Sequence, residues 1–221
     1  MNLLVVAATA SEIAPLTKHL YNSQVNNFSR SQRLVVDVLI TGVGMTATAY
    51  SLTKQLQANM YDLVLQAGVG GSFDKNISLG SLLFITSDLY ADLGAEDHDQ
   101  YMDIFEIGLL GKNTEPYTEG RLLTPLLPVH GKIALPQASG LTVNTVSGSE
   151  RTIAMRAAKY GCTVESMEGA ALHYVCLMEN VPFAQVRAIS NYVTPRDKEQ
   201  WRMKEAIINL NNWLVGFVES L

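Results

Sequence analysis

Two short stretches carry the groups best suited to chemistry. In Val164-Glu165-Ser166-Met167-Glu168-Gly169-Ala170-Ala171 a carboxylate, Glu168, stands where a helical run opens. In Val186-Arg187-Ala188-Ile189-Ser190-Asn191 an amide stands where an apolar run ends. Ligands of α/β sheets sit in a crevice outside strand ends. Two strand tips joined by one helix can therefore bring Glu168 and Asn191 into one pocket. Glu12, just past the first apolar run, is the third candidate. Together the three suit an enzyme that handles a hydroxyl-rich, nitrogen-ringed small molecule.

Each residue also has a plain structural reading. An acid at a helix start is stabilised by the helix dipole by ~0.3–1 kcal/mol, which would account for Glu168 or Glu12 alone. Asn favours turns, which would account for Asn191. Met167 suits either a sugar face or core filling. Two glycine groups follow strands. Gly42-Val43-Gly44 reads foremost as a strand-to-helix turn. Gly68-Val69-Gly70-Gly71 has more glycine than a turn needs, so it reads as backbone approaching a ligand. Neither is a GxGxxG or GxxxxGK[ST] phosphate loop. All three polar candidates falling at strand ends is what favours a site.

The elements that must position these groups read as alternating strands and helices. Strands are expected at Leu3–Ala8, Leu34–Ile40, Leu63–Gln66, Ser81–Thr86, Leu141–Val146 and Phe183–Ser190, from their apolar and β-branched runs. A helix capped by Ser11 should run from near Glu12 to about Leu20, followed by a polar turn over 21–32. Met45, Ala49, Leu52 and Leu56 have helical spacing, and further helices fall near 149–160, 168–179 and 198–219. The last shows Ala206, Ile207, Leu210, Trp213, Leu214, Phe217 and Leu221 on one face. Residues 88–140 lack periodicity and read as long loops, with one helix near 101–110 and room for antiparallel additions. The pattern predicts one α/β domain over residues 1–221.

Composition narrows the function classes. The chain has 221 residues, 48% hydrophobic and 17% charged, which suits a folded core rather than disorder. A net charge of −5 with no basic run argues against nucleic acid as partner. No run approaches the ~18 apolar residues of a membrane span, and the N-terminus lacks the charged start of a signal peptide. Two cysteines, fourteen apart, and four scattered histidines offer no metal-binding spacing. The expectation is a cytoplasmic protein with neither metal nor cofactor.

Several of these pieces resemble the purine nucleoside phosphorylase and uridine phosphorylase superfamily, in its nucleosidase branch, along nearly the whole chain. Glu12 matches the position of that family's water-activating glutamate. Gly68 to Gly71 match its ribose and nucleophile loop. Met167-Glu168 match its ribose clamp, and Arg187-Ala188-Ile189-Ser190 precede its base-binding position. Three runs give a closer likeness to the futalosine-hydrolysing family: Asp92-Leu93-Gly94-Ala95-Glu96-Asp97, Glu165 to Ala171, and Ser190-Asn191-Tyr192-Val193-Thr194-Pro195-Arg196-Asp197 with Trp201. The resemblance implies a three-layer α/β/α sandwich whose mixed sheet closes partly into a barrel, and a homo-oligomer in which a neighbour helps cover the pocket. It implies Glu12, Glu168 and Asn191 as catalytic, with Val69, Gly70, Met167 and Ser190 contacting a small purine nucleoside.

Departures from the branch carry information. Methylthioadenosine nucleosidases have Asp where this chain has Asn191. Their Val-Glu-Met-Glu becomes Glu165-Ser166-Met167-Glu168. No counterpart of their base-stacking aromatic is evident around Thr142 to Ser149, so that role is unassigned. Phosphorylases place an Arg in the strand before the glycine group; here it reads Leu63-Val64-Leu65-Gln66-Ala67, which favours water over phosphate as nucleophile. Adenine offers an amino donor beside N7, which a carboxyl group suits; a 6-oxopurine offers two acceptors, O6 and N7, which an amide suits. The expected reaction is hydrolysis of futalosine to hypoxanthine and dehypoxanthine futalosine. The rivals are methylthioadenosine or adenosylhomocysteine nucleosidase activity, and a silent nucleoside-binding module on the same fold. Arg151, Arg156 and Arg196 are candidates for the carboxylate tail of futalosine, with surface roles as the alternative.

Overall fold

The computed structural model describes the chain except residues 27–33, 99 and 127–129, and the side chains of 23–26 and 130. Ten strands and five α-helices make up the described chain, alternating at both ends with a run of six strands in between. In the first half come β1 (Asn2–Ala7), α1 (Ala14–Asn26), β2 (Val35–Ile40), α2 (Met45–Ala58), β3 (Leu63–Ser72) and β4 (Leu82–Asp88). The middle holds β5 (Gly94–Asp97), β6 (Gln100–Asp103), β7 (Leu122–Leu123) and β8 (Gln137–Thr142). The last part holds α3 (Glu150–Tyr160), β9 (Val164–Ser166), α4 (Gly169–Met178), β10 (Phe183–Tyr192) and α5 (Met203–Ser220).

The main sheet runs β10-β4-β8-β9-β3-β1-β2, and β10 also pairs with β3. Five strands, β3, β10, β4, β8 and β9, therefore form a closed ring, with β1 and β2 extending from β3. Pairing is parallel for β1–β2, β1–β3 and β3–β10, and antiparallel for β4–β10 and β3–β9. This is the expected mixed sheet, partly closed, between helical layers. Alternation along β1 shows how the layers form. Leu3, Val5 and Ala7 enter a core with Leu16 of α1 and Ala206, Leu210, Leu214 and Phe217 of α5. Leu4 and Val6 enter a second core with Leu52 of α2 and Leu172, Val175 and Cys176 of α4. Truncating one of these leucines to alanine costs about 2–5 kcal/mol, so both helical layers hold the sheet firmly.

Several local expectations change. Thr9, not Ser11, is the cap, and a short 3₁₀ turn (Ala10–Glu12) precedes α1. Residues 21–26 continue α1 rather than turning; the rest of the expected turn, 27–32, lies outside the described residues. Gly68 to Gly71 lie inside β3 rather than after it. The strand expected at 141–146 sits earlier, at Gln137–Thr142, and β9 has only three residues. No helix forms at 101–110, because the backbone there is spent on the β5–β6 hairpin and the turns that follow it. None of the described helices is long and apolar enough to cross a membrane.

Candidate active site

A cavity of about 260 Å³ opens beside the C-terminal ends of β3 and β10. Glu12, Val69, Gly70, Met167, Glu168, Ser190 and Asn191 all line it. These seven site residues named from the sequence thus line one cavity, whereas Arg151 and Arg156 do not.

Glu12 ends the 3₁₀ turn and is only 8% exposed. Its Oε2 accepts from the Thr9 backbone N–H (2.9 Å) and hydroxyl (3.0 Å), so part of its role is to complete a capping box with Thr9. Its Oε1 accepts from the Val69 N–H at 3.3 Å and faces the cavity side of β3. The backbone beneath is pinned from α5, where the buried Asn211 donates to the Glu12 carbonyl at 2.8 Å and accepts from Leu16 N–H at 3.0 Å. A buried amide with three backbone partners holds that turn in one place.

Glu168 stands at the cap position of α4, yet its side chain does not cap the helix. The first helical N–H groups are met by others: Ser166 Oγ accepts from Gly169 N–H and Thr142 Oγ1 from Ala170 N–H. The Glu168 carboxylate is thereby free to turn into the cavity. Oε1 accepts from the Gly44 N–H (3.1 Å) at the start of α2, and Oε2 from Arg187 Nη1 (3.3 Å). Gly42 and Gly44 take φ of +88° and +95°, values that favour glycine, so this motif is a turn and a carboxylate contact at once.

Arg187 was missed as a site residue. It is 1% exposed, and a lone cation inside a run as apolar as Phe183–Ile189 was the available signal. Its register partner on β3 is Gly68. A Cβ there would lie 2.6 Å from Arg187 Nη1 and 3.2 Å from Glu12 Oε1, so Gly68 makes room for both charged groups. Although β3 carries no cation, β10 supplies one alongside it. That cation is engaged by Glu168, by the Val69 carbonyl (3.2 Å) and by Gln185 (2.9 Å). Gly70, which lines the cavity, also lets β9 approach: a Cβ would meet Val164 Cγ1 at 2.8 Å and the Glu165 carbonyl at 3.1 Å.

At the far side, β10 carries a bulge between Ile189 and Asn191. The extra residue re-aims the strand end, as bulges near sites do. Ser190 Oγ donates to Asn191 Oδ1 (2.8 Å), and Asn191 Nδ2 donates to the Tyr192 carbonyl (3.0 Å). The Tyr192 carbonyl can only accept, which fixes that end of the amide as the nitrogen. Glu165, shifted from the branch pattern, is committed elsewhere: it accepts from Ser147 N–H (2.9 Å), Ser147 Oγ (2.5 Å) and Arg156 Nη1 (3.3 Å). Arg156 is therefore buried in the wall rather than offered to a ligand. Arg196 lines the cavity with its guanidinium 5.9 Å from the Trp201 ring, and Arg151 is exposed.

The fold and the cavity define a class, and comparison with known proteins agrees with it. The chain belongs to the Phosphorylase superfamily, which it matches over residues 2–219. It is 34% identical over 188 residues to the futalosine hydrolase of Streptomyces coelicolor, covering 80% of this chain and 75% of that one. The futalosine hydrolase of Thermus thermophilus is 32% identical over 176 residues, covering 76% and 75%. Among solved structures, the 5′-methylthioadenosine/S-adenosylhomocysteine nucleosidase of Colwellia psychrerythraea, in complex with adenine, superimposes with a TM-score of 0.78 at 17% identity, covering 100% of this chain and 96% of that one.

Proposed function

We propose that this cavity hydrolyses the N-glycosidic bond of futalosine, releasing hypoxanthine and dehypoxanthine futalosine on the way to menaquinone. The observation that carries the reading is an amide, Asn191, opposite two buried carboxylates in one cavity.

Glycosidic cleavage develops positive charge on the ribosyl group. Glu168, buried and held between Gly44 N–H and Arg187, accepts from the ribose hydroxyls and stabilises that charge electrostatically. Glu12 takes a proton from the attacking water, whose oxygen bonds to the anomeric carbon as the bond to the base breaks. The bonding pair leaves with the base. Asn191 uses one N–H on Tyr192 and has a second for a 6-oxopurine acceptor, while its oxygen already accepts from Ser190. Asn cannot deliver a proton, so N7 is protonated from water or late. Val69, Gly70, Met167 and Ser190 contact the nucleoside, and Arg196 is the cavity-lining cation for the carboxylate tail.

Methylthioadenosine or adenosylhomocysteine nucleosidase activity is the rival. It would use Glu12 and Glu168 equally, and Asn191 is what separates the two. The setting we infer is a cytoplasmic homo-oligomer of one domain, in keeping with two buried, unpaired cysteines. Incubating purified protein with futalosine and following free hypoxanthine by chromatography tests the reading. Binding of the nucleoside without release at high enzyme concentration would mean a silent binding module instead.

A further inference from the structure

We propose that Gln185 is a positioning residue: it fixes the Arg187 guanidinium, and through it the Glu168 carboxylate, by linking them to the buried Asp88 and His173. The proposal rests on the nucleosidase reading of Glu168. Gln185 lies two residues before Arg187 on β10 and is 1% exposed. Its Oε1 accepts from Arg187 Nε at 2.9 Å. Its Nε2 has two acceptors, Asp88 Oδ2 and His173 Nε2, each at 2.9 Å.

The donor pattern admits one orientation. His173 Nδ1 lies 3.0 Å from the Leu122 carbonyl, which only accepts, so Nδ1 bears the proton and Nε2 presents its lone pair to Gln185. Asp88 Oδ1 is already occupied by Leu89 N–H (2.8 Å) and the Thr142 hydroxyl (2.9 Å), leaving Oδ2 for Gln185. Turning the amide over would set its oxygen against a carboxylate and a lone pair, and its N–H groups against a guanidinium. Gln185 Oε1 is therefore locked towards Arg187. Without that acceptor, Arg187 Nε would lose its anchor and Nη1 its aim at Glu168. The network also supports the α4 start, since Thr142 receives Ala170 N–H. Gly169 accommodates it, for a Cβ there would lie 2.2 Å from Asp88 Oδ2 and 2.5 Å from Gln185 Oε1.

The test is a donor–acceptor swap. Gln185→Glu faces Asp88 with a second acceptor, and Asp88→Asn faces Gln185 with a second donor. The double variant restores the bond from Asn at 88 to Glu at 185 and keeps an oxygen for Arg187 Nε, and Glu at 185 in its protonated form also donates to His173 Nε2. We expect each single change to lower kcat for hypoxanthine release from futalosine at least tenfold with KM within threefold, and the double to recover kcat to within threefold of wild type. Thermal melts confirm that each variant is folded at the assay temperature. Unchanged kcat in folded single variants overturns the proposal, as does a double variant that regains thermal stability without regaining kcat. If a single variant does not fold, a folded double with wild-type kcat supports it and one still tenfold down overturns it. If wild type releases no base, the functional reading fails, and the Arg187 Nε–H resonance in nitrogen-15 NMR decides. Loss of a sharp signal in the singles and its return in the double supports positioning; a signal unmoved throughout overturns it.

Discussion

Arg187 Nη1 lies 3.3 Å from Glu168 Oε2, and both side chains are almost wholly shielded from solvent. A buried pair is worth little net against a well-packed apolar pair, but breaking it strands a charge at a cost of about 3–5 kcal/mol. Arg187→Met should therefore destabilise the fold by about that much, read by urea denaturation. Adding Glu168→Gln should return part of the stability and none of the turnover. Equal stability of wild type and Arg187→Met would show that Glu168 does not depend on this cation.

Asn191→Asp changes charge with almost no change in size. An ionised carboxylate facing O6 and N7 turns donation into repulsion, so kcat/KM for futalosine should fall by roughly 10²-fold, from ~3 kcal/mol of lost stabilisation. The loss should shrink at acidic pH, where a protonated carboxyl group can donate, and adenine nucleosides should gain activity. A pH series from 5 to 8 on both substrates reads this. An Asn191→Asp enzyme as fast as wild type on futalosine would make Asn191 a turn residue only.

Glu12→Gln removes the base and retains one oxygen, which suffices for Thr9 while Val69 N–H is left facing the amide nitrogen. Turnover should drop at least 10³-fold, in the upper range for lost general-base catalysis, with nucleoside binding by calorimetry within a few-fold. Loss of binding in parallel with turnover would assign Glu12 to substrate binding.

How much of this was legible in the sequence differs by residue. Glu12, Glu168 and Asn191 were, because strand ends and helix starts place polar groups where clefts form. Arg187 was not, since periodicity marks a residue as buried without naming its partner, and Glu168 is nineteen positions away. Asn211 was hidden similarly: it lies in α5 among the core-facing positions, and its partners Glu12 and Leu16 come from the other end of the chain. The glycines of β3 were misplaced because glycine usually ends strands; here Gly68 and Gly70 admit an arginine and a neighbouring strand within one. The middle region defeated pattern reading because β5 and β6 form a small hairpin of exposed and half-buried residues, with no continuous apolar face to produce a period.

His173 gives a stability test. Burial pushes its pKa down from 6.5 to about 3, with Arg187 adding to the effect. The unfolded chain then binds a proton that the folded chain refuses, so stability falls as pH drops from about 6.5 towards 3. Asp88 runs the other way: burial raises it from 3.8 to about 6, so its penalty is relieved as pH falls from about 6 to 3.8. The histidine window is the wider. His173→Asn, neutral throughout, should lose less stability between pH 6.5 and 4 than wild type, whatever its stability at pH 7. A steeper loss in the variant would contradict a neutral buried His173.

The central claim is that this site cleaves a 6-oxopurine nucleoside with water. The most direct measurement is kcat/KM for hypoxanthine release from futalosine beside that for adenine release from methylthioadenosine, in phosphate-free buffer, on the same wild-type preparation. The account predicts a ratio of at least 10² in favour of futalosine, the discrimination expected when a buried donor or acceptor is mispaired. A ratio of one or below, or base release that depends on added phosphate, would contradict it.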